Sequence, residues 1–215
     1  MEEMTAIGRC LGPLMPGRGA LLWGESIRSL ATIAAAWGVA RGGRVLVVDA
    51  ANHFDTYSLV REGRERGIDQ QSLLAKVQVA RAFTCHQLVR LCQEELSGHI
   101  ESGSLVLVLG PVNLFYDEQV PLAERRRLFR NLVRTLAEVK TKAPLLVLQP
   151  YLSRRATNRH FGRMLMPIMD YLAEVRSHGK NSPTLQPDLG EGAGALAEVP
   201  AGVAPGGPGS FRPAL

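Results

Sequence analysis

Leu105-Val106-Leu107-Val108-Leu109 is a run of five aliphatic residues with no polar side chain at any position. A half-exposed strand alternates apolar with polar residues; this run does not, so it predicts a strand covered on both faces. Gly110-Pro111 ends it. Two further stretches share the pattern, Arg44-Val-Leu-Val-Val-Asp49 and Pro144-Leu-Leu-Val-Leu-Gln149, and Leu21-Leu22-Trp23 before Gly24 is a shorter one. Longer helical patterns lie between them. Ser26 to Ala40 carries Ile27, Leu30, Ala34 and Trp37 at helical spacing and stops at Gly42-Gly43. Residues 57–66 end at Gly67, and His86 to Ile100 places Leu88, Leu91, Cys92 and Leu96 on one face. Lys76 to Ala80 reads as a short strand and Glu124 to Lys142 as a long amphipathic helix. After Gln149, either Met164 to Arg176 is a helix or Tyr171 to Arg176 is a last edge strand. Strand and helix in alternation, with doubly apolar strands, predict an α/β fold: a mostly parallel sheet with helices on both faces. Such sheets bind ligands beyond the carboxyl ends of their strands, where Gly24, Asp49, Gly110 and Gln149 fall.

The chain has 215 residues, 46% apolar and 21% charged, which is the chemistry of a globular core and excludes a wholly disordered chain. The core is expected to span 1–176. Residues 177–215 hold 8 Gly and 6 Pro with little apolar periodicity, which predicts a Gly/Pro-rich disordered tail. The net charge of +5 is unevenly distributed. Residues 124–163 contain 11 Lys/Arg against 2 Asp/Glu, a surplus of nine, whereas residues 1–123 contain 11 against 13. Three cysteines, Cys10, Cys85 and Cys92, suit reduced thiols better than a disulfide framework. Cys85 and Cys92, seven apart, read as core. The acidic start has no signal core, and the longest weakly polar stretch, Leu30 to Ala40, is about half a membrane span. A soluble protein of the cytoplasm, or of the nucleus in a eukaryote, is expected.

Val79-Ala-Arg-Ala-Phe83, followed by Thr84-Cys-His86-Gln87 and a helix, resembles the short "ARAF" strand of the RecA-like recombinases (the RecA/RadA family) and the His-Gln that opens their next helix. Leu122-Ala-Glu-Arg-Arg-Arg-Leu-Phe-Arg-Asn-Leu-Val-Arg-Thr-Leu136 is similar to the long helix after that family's Walker B strand. The order of elements over residues 20–165 matches as well. The resemblance implies a single RecA-like core without a separate N-terminal domain.

The nucleotide chemistry of that family is missing from the residues. A phosphate-binding loop needs GxxxxGK[ST]: glycines let amides wrap the phosphates, Lys balances their charge, and the hydroxyl ligates magnesium. The matching segment keeps Gly24 and Glu25, has Arg28 at its last variable position, and puts Ser29 for the second Gly, Leu30 for the Lys and Ala31 for the hydroxyl. The strand at Leu105–Leu109 ends without the magnesium-orienting Asp. By the resemblance, Ala51 stands where the family has its catalytic Glu, and Gln149 where it senses the γ-phosphate; Asp49 survives. These residues predict a vestigial nucleotide site with no catalytic residue, ATP and magnesium binding both lost, and no metal site. Arg28 at a helix start suits a solvated residue or an anion contact.

The positive charge lies on two segments. On the helix, Arg127, Arg130 and Arg134 share a face with Arg126 beside them, opposite a core stripe of Phe129, Leu132, Val133, Leu136 and Val139. Beyond Gln149, Arg154, Arg155, Asn158, Arg159 and Arg163 fall in a stretch without acids, flanked by Tyr151 and Phe161. By the resemblance this is the family's second DNA-binding loop; arginines match phosphates and aromatics stack on unpaired bases. The first such loop, around Asn113 to Pro121, is short and acidic at Asp117 and Glu118, which departs from the family and speaks against strand exchange. The five histidines are scattered without a metal-ligand pair, and Ser26 lacks a GxSxG elbow. The expected function is a non-catalytic accessory protein of DNA repair or recombination that binds DNA, single-stranded first, with a RecA-like recombinase or paralogue as protein partner and no membrane. A second reading is a pseudo-ATPase scaffold docking on a recombinase or other ATPase, the "ARAF" edge accepting a partner segment. A third is an NTPase with an unorthodox phosphate site.

Overall fold

The computed structural model describes residue 12 and residues 14–116, 119–152, 160–177 and 183–187. Within them lie strands β1 (Gly19–Gly24), β2 (Val45–Asp49), β3 (Val77–Arg81), β4 (Leu105–Leu109), β5 (Leu145–Pro150), β6 (Tyr171–Ser177) and β7 (Pro183–Pro187). The helices are α1 (Ile27–Ala40), α2 (Thr56–Glu65), α3 (Gln70–Lys76), α4 (Cys85–Arg90), α5 (Leu122–Lys142) and α6 (Phe161–Leu165). The strands form one sheet in the order β3-β2-β4-β5-β1-β6-β7. Neighbours from β3 through β6 pair in parallel, and β7 runs antiparallel to β6. This is an α/β architecture, consistent with a RecA-like fold.

The doubly apolar runs explain the layers. In β4, Val106 and Val108 point to one face, and Leu105, Leu107 and Leu109 to the other. In β1 the same alternation sends Leu21 and Trp23 one way, Ala20 and Leu22 the other. The first face packs against α4, α5 and α6, the second against α1, α2 and α3. Both faces being covered, every residue of β2 and β4 is buried. Near the strands' amino ends, the carboxylate of Asp170 accepts hydrogen bonds from the Gly19 amide at 2.8 Å and from Lys140 Nζ at 3.1 Å, joining β1, α5 and the entry to β6.

Local sequence sets the helix starts. Asp55 caps α2 by accepting from the Tyr57 amide at 3.0 Å, and Asp69 caps α3 by accepting from the Ser72 amide at 2.9 Å. Thr84 caps α4 by accepting from the Gln87 amide at 3.1 Å, while Gln87 Oε1 accepts from the Phe83 amide at 2.9 Å. The Thr84-Cys-His-Gln87 motif is thus a capping arrangement between Thr84 and Gln87. Helix α3 was not visible as periodicity because a seven-residue helix burying one side chain, Leu73, has no repeat. The expected helix over His86 to Ile100 is irregular: α4 passes into a π turn at Leu91–Glu95 and a 3-10 turn at Leu96–His99. A strict four-residue spacing drifts around a 3.6-residue helix; the wider π turn absorbs the drift and keeps Leu88, Cys92 and Leu96 buried. Cys85 and Cys92 are both buried, and burial pushes the Cys92 thiol up to about 12.

Tyr171–Ser177 is the strand alternative, but it is not the edge, because β7 pairs outside it. Residues 183–187 lie within the stretch expected to be disordered. A short strand held by a backbone ladder needs no apolar pattern to announce it. No helix among the described residues is long and apolar enough to cross a membrane.

Candidate functional site

At the carboxyl end of β1 the chain turns into α1 with only Glu25 and Ser26 between them. Ser26 takes the left-handed conformation at φ 55°, and its carbonyl already accepts the Leu30 amide at 3.1 Å. Helical bonding therefore begins where a phosphate loop would still be wrapping its ligand. The consequence falls on the residues that matter: Leu30 and Ala31 are buried in the core against α1's face of the sheet, while Arg28 and Ser29 are exposed. Gly24 is pinned as well. Its φ of +132° suits glycine, a Cβ would overlap the Val175 carbonyl, and the Glu25 amide donates to that carbonyl at 3.0 Å. Arg28 lies where its charge helps hold the Asp55 carboxyl below its ordinary value, an effect led by the hydrogen bond from Ser58.

The other strand ends are equally committed. Asp49 is fully buried and accepts from the amides of Ala51 at 3.3 Å, His53 at 3.0 Å and Phe54 at 3.0 Å, with Arg81 Nε at 3.5 Å. It holds the loop after β2. Gln149, also fully buried, accepts from the Val112 amide at 3.1 Å and donates to Asn113 Oδ1 and the Pro150 carbonyl, each at 2.8 Å. Both side chains spend their hydrogen-bonding groups on the loops around them. Gly110, at φ +58°, packs so close to Ala51 that a Cβ would stand 2.5 Å from the Ala51 methyl. Backbone and methyl groups fill the gap between the ends of β2 and β4. Among the described residues no three or more His, Cys, Asp or Glu are grouped to hold a metal ion.

The arginines of α5 lie opposite the buried stripe of Phe129, Leu132, Leu136 and Val139, with Leu128 added and Val133 half-buried. Arg126, Arg127, Arg130 and Arg134 are all exposed. Glu124 tempers one end of this face, lying 3.8 Å from Arg127 and 3.0 Å from His86 Nε2. Arg134 faces a polar hollow shared with Gln93, Ser97 and Glu138. Of the loop residues, Arg154, Arg155, Asn158 and Arg159 lie outside the described residues, as do Asp117 and Glu118. Arg163 is exposed on α6.

The residues on either side of 153–159 are described. Phe161 is fully buried, its ring centroid 5.1 Å from Phe129, 5.8 Å from Phe115 and 5.6 Å from Tyr116. Buried in this way it cannot stack on a base, the role its flanking position suggested; it anchors α6 on α5 through Phe129. No protein-family model and no curated protein matches the chain.

On the other side, Tyr151, expected as a flanking aromatic, meets Glu174 and Arg176, which no sequence pattern singled out. The Tyr151 hydroxyl donates to Glu174 Oε1 at 2.6 Å, and Arg176 donates to Glu174 Oε2 through Nε at 3.0 Å and Nη2 at 2.7 Å. Strand alternation alone places Glu174 and Arg176 on one face of β6; only the fold brings Tyr151 to them. Burial, then the bond to Glu174, pushes the Tyr151 phenol up to about 12. Burial alone would raise Glu174, but its hydrogen bonds from Tyr151 and Arg176 outweigh that and hold it below its ordinary value. The tyrosine's raised value means its contribution is complete below the phenol's free value near 10 and disappears as pH rises to about 12. The depressed glutamate contributes above its free value and loses that contribution in acid. Tyr151→Phe should therefore lower stability at pH 7–9 by about 1 kcal/mol and narrow its gap to wild type between pH 10 and 12. Urea midpoints across that range measure it; a gap that widens with pH contradicts the arrangement.

A second surface lies at the far side of the sheet. Among the described residues the outer edge of β3 pairs with no strand, and beneath it is a groove of about 180 Å³ lined by Val79, Leu91, Glu95, Leu96 and His99 among others. Phe83, just beyond the strand, is exposed.

Proposed function

We propose that this chain is a RecA-like core without ATPase chemistry that binds single-stranded DNA as an accessory of repair or recombination. The observation that carries the reading is the four-arginine face of α5, exposed along its length and joined through the Phe129–Phe161 contact to the end of the basic loop. DNA phosphates would lie along Arg126, Arg127, Arg130 and Arg134, with Arg163 and the loop arginines extending the track. Arginine suits this because its planar fork bonds phosphate oxygens bidentately. The immediate helix start after Gly24, the buried Leu30 and Ala31, and the engaged Asp49 and Gln149 all support a protein that holds no nucleotide or magnesium.

The test is a salt-titrated binding assay. Arg127→Ala/Arg130→Ala/Arg134→Ala should weaken binding to an unstructured oligonucleotide about tenfold or more and reduce the slope of log affinity against log salt by about 2, three phosphate contacts at ~0.7 each. Unchanged affinity and slope remove α5 from the interface.

A second reading rests on the open β3 edge and its groove, which suit an extended segment of a protein partner, a recombinase or another ATPase, added as a further strand. In that case the oligonucleotide fails to bind even at low salt. Partner association then depends on the groove residues Val79 and Leu91 instead of the arginines.

A further inference from the structure

The two edges of the sheet differ in what their backbones offer. The Val175 carbonyl accepts from the Glu25 amide, so Val175 turns its backbone groups toward β1. Its neighbours Glu174 and Arg176 therefore turn theirs the other way, toward β7, because successive strand residues alternate. Opposite them stand Gln186 and Thr184. These two residues exchange the ladder bonds with β6. Pro183, Leu185 and Pro187, opposite Ser177, Val175 and Ala173, turn outward.

Proline identity agrees independently. A proline nitrogen carries no hydrogen, so two prolines facing β6 would delete two ladder donors; facing outward they cost the sheet nothing. The result is an outer edge with a single donor, Leu185, between two positions that have none. An incoming antiparallel strand needs alternate donors along its length, and two of three are absent. β3, by contrast, has no proline in Val77–Arg81.

We propose that β7 is a proline-blocked cap that ends the sheet, prevents copies of this chain from joining edge to edge through it, and restricts strand addition to the β3 edge. Natural sheets blunt exposed edges in this way to avoid uncontrolled pairing.

Amide exchange followed residue by residue in the full chain tests the orientation. Thr184 and Gln186 are expected to be protected, and Leu185 to exchange as fast as in an unstructured peptide. Protection at Leu185, or equal rates at all three, overturns the assignment. Sedimentation tests the consequence. Pro183→Val/Pro187→Val restores two outward N–H groups and should lower the concentration of half-association about tenfold or more. Thr184→Val/Gln186→Val adds the same two valines where the N–H groups already face β6, and should sediment as wild type. A proline variant that sediments unchanged, or equal association of both variants, overturns the proposal.

Discussion

Ser29→Gly/Leu30→Lys/Ala31→Thr, which rewrites the segment to the full GxxxxGK[ST] pattern, is expected to lose about 3–5 kcal/mol of stability and gain no magnesium-dependent ATP binding. In an open phosphate loop the lysine would reach a ligand. Here residue 30 is one helical turn beyond Ser26 and 2% exposed, packed against the sheet. The ammonium would enter an apolar layer without a counter-charge, and Ala31, also in that layer, has no room for a larger polar side chain. Opening the turn instead would break the Leu30–Ser26 bond and the contact of Gly24 with Val175. Urea denaturation and titration calorimetry with ATP measure the two halves. A variant as stable as wild type that binds ATP in the micromolar range would mean that the β1–α1 turn opens readily, and the non-nucleotide reading would fall.

Phe161→Ala should cost about 3–5 kcal/mol, since it empties a fully buried site among three aromatic rings. Its second effect separates packing from function. Phe161→Leu keeps most of the volume and should leave a folded chain, yet it changes how α6 sits on α5 at Phe129. If loop and helix act as one DNA surface, this variant binds single-stranded DNA several-fold more weakly at low salt with a smaller salt slope. If its affinity equals wild type while its stability falls, Phe161 serves the core alone and the two basic segments act separately.

The absence of Lys and hydroxyl at residues 30 and 31 is readable in the chain, but their burial is not. A lone Leu or Ala in a motif position says only that a ligand group is missing. The helix start at Ile27 and the Gly24–Val175 contact across 151 positions of sequence come only with the fold. Phe161 shows the opposite case. Beside four arginines it resembles a stacking residue. Nothing local reveals that Phe115 and Phe129 close around it, because those rings arrive from a turn after β4 and from α5. The Tyr151–Glu174–Arg176 tie was illegible for the same reason.

By itself, the sequence determined the layered α/β architecture, the approximate strands and most helices, the absence of a GxxxxGK[ST] pattern at residues 24–31, and the concentration of positive charge within residues 124–163. Each of these is a property of side-chain identity and short-range periodicity, and both are written along the chain. Tertiary structure alone decided the strand order, the tight β1–α1 turn, the use of Asp49 and Gln149 as loop anchors, the burial of Phe161 and the proline-edged β7. Those depend on which distant segments meet and which way a backbone group faces when they do.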